Sequence, residues 1–296
     1  MNNKPDEKCA PSKKYTDGSC FTLESLQRIA KAYNNKYGNK IKITDNKKEL
    51  VKSLEDNLSK KCDDQVCWLK QEFTKEIMDE SMKNTFRPKG PSTGYDWLST
   101  TDIDKVMEQY HEKYQDFIYL GTVPSDFEEL PVLKLNNIDF EDLRNRGKKR
   151  IGMVINLDEH YKSGSHWVAL YSDLERNKLY YFDSFGKGPK ENIRKFISKI
   201  AKYLYKNEYG EETKHNFKHI IKGYEKMDKM DNEVKEKLGK IDIRYNKVQH
   251  QFDNSECGVY SMNFIIRLLK GESFDEITNN ITKDREMNQC RRVYFR

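Results

Sequence analysis

Catalysis by a thiol needs a cysteine, a base to take its proton, a group to orient that base, and donors for the oxyanion. Six cysteines and six histidines supply the candidates. Cys257 stands apart because Cys257-Gly258 follows the polar turn Asp253-Asn254-Ser255-Glu256 and opens an apolar helical stretch. At a helix N-terminus the free N–H groups and the dipole favour a thiolate, and Gly258 would let substrate approach the backbone closely. His166 begins a strand-like run, and Asp183 lies 17 residues later, at the end of the return strand. A hairpin would make the two neighbours at one end, where a carboxylate can hold an imidazole in one tautomer. Gln251 precedes Cys257 by six residues. Its amide can reach over the turn and share an oxyanion hole with the Cys257 N–H.

The other candidates fit less well. His250 falls on the opposite face of an extended strand from Gln251. His215 and His219 have the i, i+4 spacing of a helical metal pair, but no Glu follows His215 and no third ligand is apparent. Cys9, Cys20, Cys62 and Cys67 are separated by 10, 41 and 4 residues, which does not match a paired zinc knuckle. They read as buried or free thiols in preference to a zinc site or a redox disulfide. Cys290 has no evident partner. Neither a metal nor a cofactor is expected.

These residues must be placed by elements distant in sequence. The segment Arg87-Pro88-Lys89-Gly90-Pro91-Ser92 breaks regular structure and suggests a boundary. It would divide an N-terminal module, 1–92, from a catalytic domain, 93–296. Upstream, Leu23, Leu26, Ala30 and Tyr33 recur at helical spacing, as do Leu50, Val51, Leu54 and Leu58, with the short extended stretch Ile41–Thr44 between. Trp68 reads as core of this module. Downstream, Trp97-Leu98-Ser99 leads into a capped helix through Tyr110. Strands are expected at 117–120, 151–157, 166–171, 179–182 and 241–248, with helices at 193–204 and 257–269. The charged stretch 207–240 reads as a surface insertion. Strands and helices are segregated more than alternated, the mark of an α+β fold.

With 296 residues, 36% hydrophobic and 34% charged, the chain is more charged than most globular proteins, yet 12% aromatics oppose wholesale disorder. Its apolar runs are too short for a membrane span. The opening MNNKPDEKCAPSKK lacks the apolar run of a secretory signal. The expected location is intracellular. Of the net +6, residues 1–90 hold 19 basic against 14 acidic side chains. That face is a candidate for binding nucleic acid or an acidic protein surface, and its helix–extended–helix order resembles small helical modules of the SAP type.

His166-Trp167, Asp183 within Tyr181-Phe182-Asp183-Ser184, and Gln251 through Cys257-Gly258-Val259-Tyr260 together resemble the ubiquitin-like-protein-specific cysteine proteases. That family includes the SUMO-deconjugating enzymes, adenain and the virion-maturation proteases of large DNA viruses. Trp97-Leu98 is similar to the family's upstream Trp-Leu motif, so the likeness covers roughly 95–270. The resemblance implies a papain-like fold with permuted His-Asp-Cys order, a central mixed sheet flanked by helices. It implies Cys257 as nucleophile, His166 as base, Asp183 as orienter, and Gln251 with the Cys257 amide as oxyanion donors. Trp97 and Trp167 would wall a channel admitting only small residues, giving cleavage at Gly-Gly or Gly-Xaa sites. Ser261-Met262-Asn263 departs from the usual second cysteine of cellular desumoylases, and with the basic arm this favours processing of viral capsid or core polyproteins. The rivals are a deSUMOylating isopeptidase and a catalytically silent binding module.

Overall fold

The computed structural model describes residues 17–62, 65–69, 71–77, 82, 88, 90–91, 94–213 and 239–295. Backbone packing groups the chain into two compact units, Met1–Gly90 with Arg292–Arg296, and Pro91–Arg291. His215, His219 and Cys9 lie outside the described residues.

In the first unit, α1 (Leu23–Tyr37) starts at Thr22, whose side chain accepts from the Ser25 N–H, and α2 (Lys47–Leu58) starts at Asn46 in the same way. Leu26, Ile29, Ala30 and Tyr33 face Leu50, Val51, Leu54 and Leu58 in one core, which Trp68 of α3 (Gln65–Trp68) also enters. The stretch after α1 is held without a partner strand, since the Asn34 amide accepts from the Ile41 N–H and donates to the Ile41 carbonyl. The expectation of free thiols fails here. Cys62 and Cys67 are joined in a disulfide and Cys20 is also disulfide-bonded. The turn after α2 brings the Cys62 and Cys67 Cα atoms within 5.3 Å, inside the span a disulfide requires. So bonded, neither is a thiolate for zinc.

In the second unit, α4 (Thr100–Lys113) begins with a capping box between Ser99 and Asp102. Five strands follow: β1 (Phe117–Val123), β2 (Arg150–Asn156), β3 (Trp167–Asp173), β4 (Lys178–Phe182) and β5 (Asp242–Tyr245). They lie side by side in chain order, the outer pairs parallel and the inner pairs antiparallel. Every residue of β3 is buried, because helices cover both faces of the sheet. On one face, α6 (Glu191–Tyr209) sets Ile193, Phe196, Ile197 and Ile200 into the core with Met153, Leu170 and Tyr181. On the other lies α7 (Cys257–Leu269), apolar nearly all round, with Phe264 stacked on Phe182 at 4.8 Å. The unit also holds α5 (Phe140–Asn145), α8 (Phe274–Asn279) and, as far as Arg291, α9 (Asp284–Tyr294). This is the expected α+β arrangement.

Of the boundaries that differ from the sequence-based expectation, two have a local physical cause. Helix α6 runs on through Tyr209, into the stretch taken as insertion, and stops where Gly210 enters the left-handed region at φ 70° and caps Lys206. Residues 214–238 of that stretch lie outside the described residues. Strand β5 ends at Tyr245 because the Asn246 side chain takes over its ladder. Its amide accepts from the Asp183 N–H at 2.8 Å and donates to the Asp183 carbonyl at 2.7 Å.

Candidate active site

The β3–β4 hairpin delivers His166 and Asp183 to one end of the sheet. His166 sits one residue before β3 and Asp183 one residue after β4. The His166 Nε2 donates to Asp183 Oδ1 at 2.7 Å, and the same oxygen accepts from the Phe185 N–H at 2.8 Å. Both side chains are buried, and the Phe185 ring stacks on the imidazole with centroids 4.5 Å apart. With Nε2 engaged by the carboxylate, Nδ1 is left to face the sulfur.

Helix α7 supplies that sulfur from the opposite side. Cys257 lies near enough to His166 to act on its titration. Burial is the strongest single influence on the imidazole and lowers its pKa. The hydrogen bonds and charges of Asp183 and Cys257 together outweigh burial and push it up to about 9. An imidazolium beside the sulfur is the counter-charge that a thiolate requires. No side chain caps the start of α7, so the N–H groups of its first turn stay available.

Gln251 is 1% exposed and held at both ends of its amide. Its Oε1 accepts from the Ser184 hydroxyl at 2.6 Å, and its Nε2 donates to the Asp253 carbonyl at 2.7 Å. One N–H of Nε2 remains for an oxyanion. Ser184 also accepts the His250 and Gln251 backbone N–H groups on its carbonyl. Asp183 and Ser184, adjacent in the chain, therefore fix the base and the amide at once. His250, the rival base, points elsewhere. It is buried against Phe182 and Tyr260 and donates to the Thr278 carbonyl at 3.2 Å.

Trp97 and Trp167 line one cavity of about 510 Å³, together with Asn156, Asp158 and His160. Trp97 is 53% exposed, whereas Trp167 is buried and its indole Nε1 donates to the Leu98 carbonyl at 3.0 Å. Gly258 requires a correction, because it does not leave room for substrate. A Cβ there would come within 3.1 Å of Leu98 and 3.3 Å of Ile103, so glycine lets α7 press onto the segment that carries Trp97.

The sequence reading missed Ser184, Phe185, Asn246 and Arg291. The first two adjoin Asp183, so the site's own neighbourhood could have suggested them. Asn246 and Arg291 carry no local signal. Cys290, the second free thiol among the described residues, makes only a long contact with Asn263, 3.9 Å. Among those residues there is no cluster of acidic, His or Cys side chains able to hold a metal, and no helix long and apolar enough to cross a membrane.

Residues 142–295 match the model of the Ulp1 protease family, C-terminal catalytic domain. The chain is 36% identical to the thiol protease R355 of Acanthamoeba polyphaga mimivirus, over 95% of this chain and 90% of that one. It is 23% identical to the SUMO-1 cysteine protease S273R of African swine fever virus, over 84% and 88%. The crystal structure of the ASFV pS273R protease superposes with a TM-score of 0.53 at 21% identity, over 84% of this chain and 88% of that one, a likeness of fold. The resemblance seen in the motifs holds, and the silent binding module is set aside: this chain belongs to the Ulp1 protease family and is a cysteine protease.

Proposed function

We propose that this cysteine protease is an endopeptidase that cleaves after small residues, at Gly-Gly or Gly-Xaa sites, in viral capsid or core polyproteins during virion maturation. Cys257 attacks the scissile carbonyl, and His166 gives up its proton to the leaving amine. Asp183 keeps the imidazole in register throughout. The remaining Gln251 N–H and the Cys257 N–H receive the oxyanion, and water then hydrolyses the thioester. The observation that carries this reading is the buried hydrogen bond between Asp183 and His166, with Cys257 near the imidazole at the uncapped start of a buried helix.

Two indoles on one cavity, one of them next in the chain to His166, support the preference for small residues: bulky side chains cannot thread between aromatic walls, and glycine can. The basic arm, 1–92, would then act by holding the enzyme on nucleic acid or virion protein. Incubating a candidate polyprotein with the wild type and with Cys257→Ala, then mapping new termini by mass spectrometry, tests the proposal. New termini after glycine only with the wild type support it, and cleavage that survives Cys257→Ala refutes it. A second reading is isopeptidase action on a ubiquitin-like conjugate, favoured by the name of the African swine fever virus relative. A SUMO-linked fluorogenic substrate turned over far faster than any Gly-Gly peptide would select it.

A further inference from the structure

The turn between Gln251 and Cys257 carries both proposed oxyanion donors, so its shape sets the distance between them. It is held from outside by one face of α9. Asp284 accepts the Phe252 and Asp253 N–H groups on Oδ2, at 2.8 and 3.1 Å. Asn288 donates to Glu256 Oε1 at 2.9 Å and to the Gly94 carbonyl at 2.6 Å. Arg291 donates to Glu256 Oε2 at 2.8 Å and to the Ser255 and Asp96 carbonyls, each at 2.7 Å. Positions 284, 288 and 291 are spaced i, i+4, i+7, so all three stand on one helical stripe. The stripe grips the turn at both ends and also grips the segment leading into Trp97.

The ion pair has a second consequence. Glu256 is the N-cap residue of α7, the position from which a shorter carboxylate, Asp, accepts first-turn N–H groups and from which a free Glu carboxylate can still lean toward them. Here it makes no such bond. Arg291, Asn288 and the Ser255 hydroxyl occupy its oxygens, and both Glu256 and Arg291 are buried. A carboxylate that capped α7 would place a negative charge beside the sulfur and occupy the amides meant for the oxyanion. Two charged pairs therefore stand at this end of the site, His166 with Asp183 and Glu256 with Arg291.

We propose that Arg291 is a positioning residue: it holds the Glu256 carboxylate away from the N-terminus of α7 and, with Asp284 and Asn288, fixes the turn that carries Gln251 and Cys257. The inference rests on Cys257 being the nucleophile. The test is the rate of Cys257 alkylation by iodoacetamide against pH, on the full chain, with thermal melting as the control for folding.

Arg291→Gln frees the carboxylate to cap the helix. Alkylation at pH 7 should slow at least tenfold and its pH midpoint should rise by about one unit, in protein that still melts cooperatively. Glu256→Gln with Arg291→Gln removes both charges, and the rate should return to within about threefold of wild type. Arg291→Met, which keeps the stem and removes the charge and every donor, replaces Arg291→Gln in both variants if that substitution fails to fold, with the same slowing expected. A folded single variant with the wild-type pH profile overturns the inference, as does a double variant as slow as the single. A role in stability alone would lower the melting temperature and leave the profile where it was. Should the wild-type thiol itself show no fast alkylation, the assignment of Cys257 as nucleophile falls instead.

Discussion

Replacing Asp183 with Asn separates the charge of the carboxylate from its geometry. Oδ1 is the atom that accepts from both His166 and Phe185, and an asparagine Oδ1 can accept from both in the same place. What disappears is the negative charge. The His166 pKa stands at about 9 in place of 6.5, a net preference for imidazolium of roughly 3 kcal/mol. The Asp183 hydrogen bond is the first influence that raises it, ahead of Cys257. Without that charge burial dominates, and the pKa should fall by more than one unit, towards or below 6.5.

Two readouts follow with definite signs. For the wild type, kcat/KM on a Gly-Gly peptide should fall as pH rises through about 9, where the imidazolium is lost. In Asp183→Asn that limb should move to lower pH, with a loss of about 10- to 100-fold at pH 7.5. For stability, a raised folded-state pKa means the contribution is complete below pH 6.5 and is lost as pH rises through about 9. Unfolding free energy should therefore decline by up to about 3 kcal/mol across that window in the wild type, and by less in Asp183→Asn. The decisive assay is the pH profile. An alkaline limb still near 9 in Asp183→Asn would refute the view that this carboxylate sets the charge state of the imidazole.

Gln251→Ala should lower kcat on the same peptide by about 10²–10³ with KM little changed, the usual cost of an oxyanion donor. In brief alkylation at pH 7, mass spectrometry should find the label on Cys257 before Cys290, whose thiol is pushed up chiefly by burial. Gly258→Ala forces a Cβ against Leu98 and Ile103 and should cost about 1–3 kcal/mol in chemical denaturation, with a rise in KM as the Trp97 segment shifts.

The sequence carried the local part of this protein. Periodicity located the strands and helices around the site because each hydrophobic face repeats within a few residues, and the hairpin placed His166 beside Asp183 because its two strands are joined by one short turn. The order His166, Asp183, Gln251, Cys257 was enough to suggest the family, since the type and spacing of those residues are themselves the chemistry. Partners recruited across long loops were not legible. Asn246 reaches Asp183 across 63 positions and Arg291 reaches Glu256 across 35, and neither pairing leaves a periodic trace. Gly258 looked like room for substrate until the packing of α7 on Leu98 gave it another cause. The Cys62–Cys67 bond depended on how the turn after α2 folds back. A sequence fixes which groups are available and how nearby ones are spaced; only the packing of distant segments decides which of them a buried charge or donor must find, because such a group cannot be left unpaired.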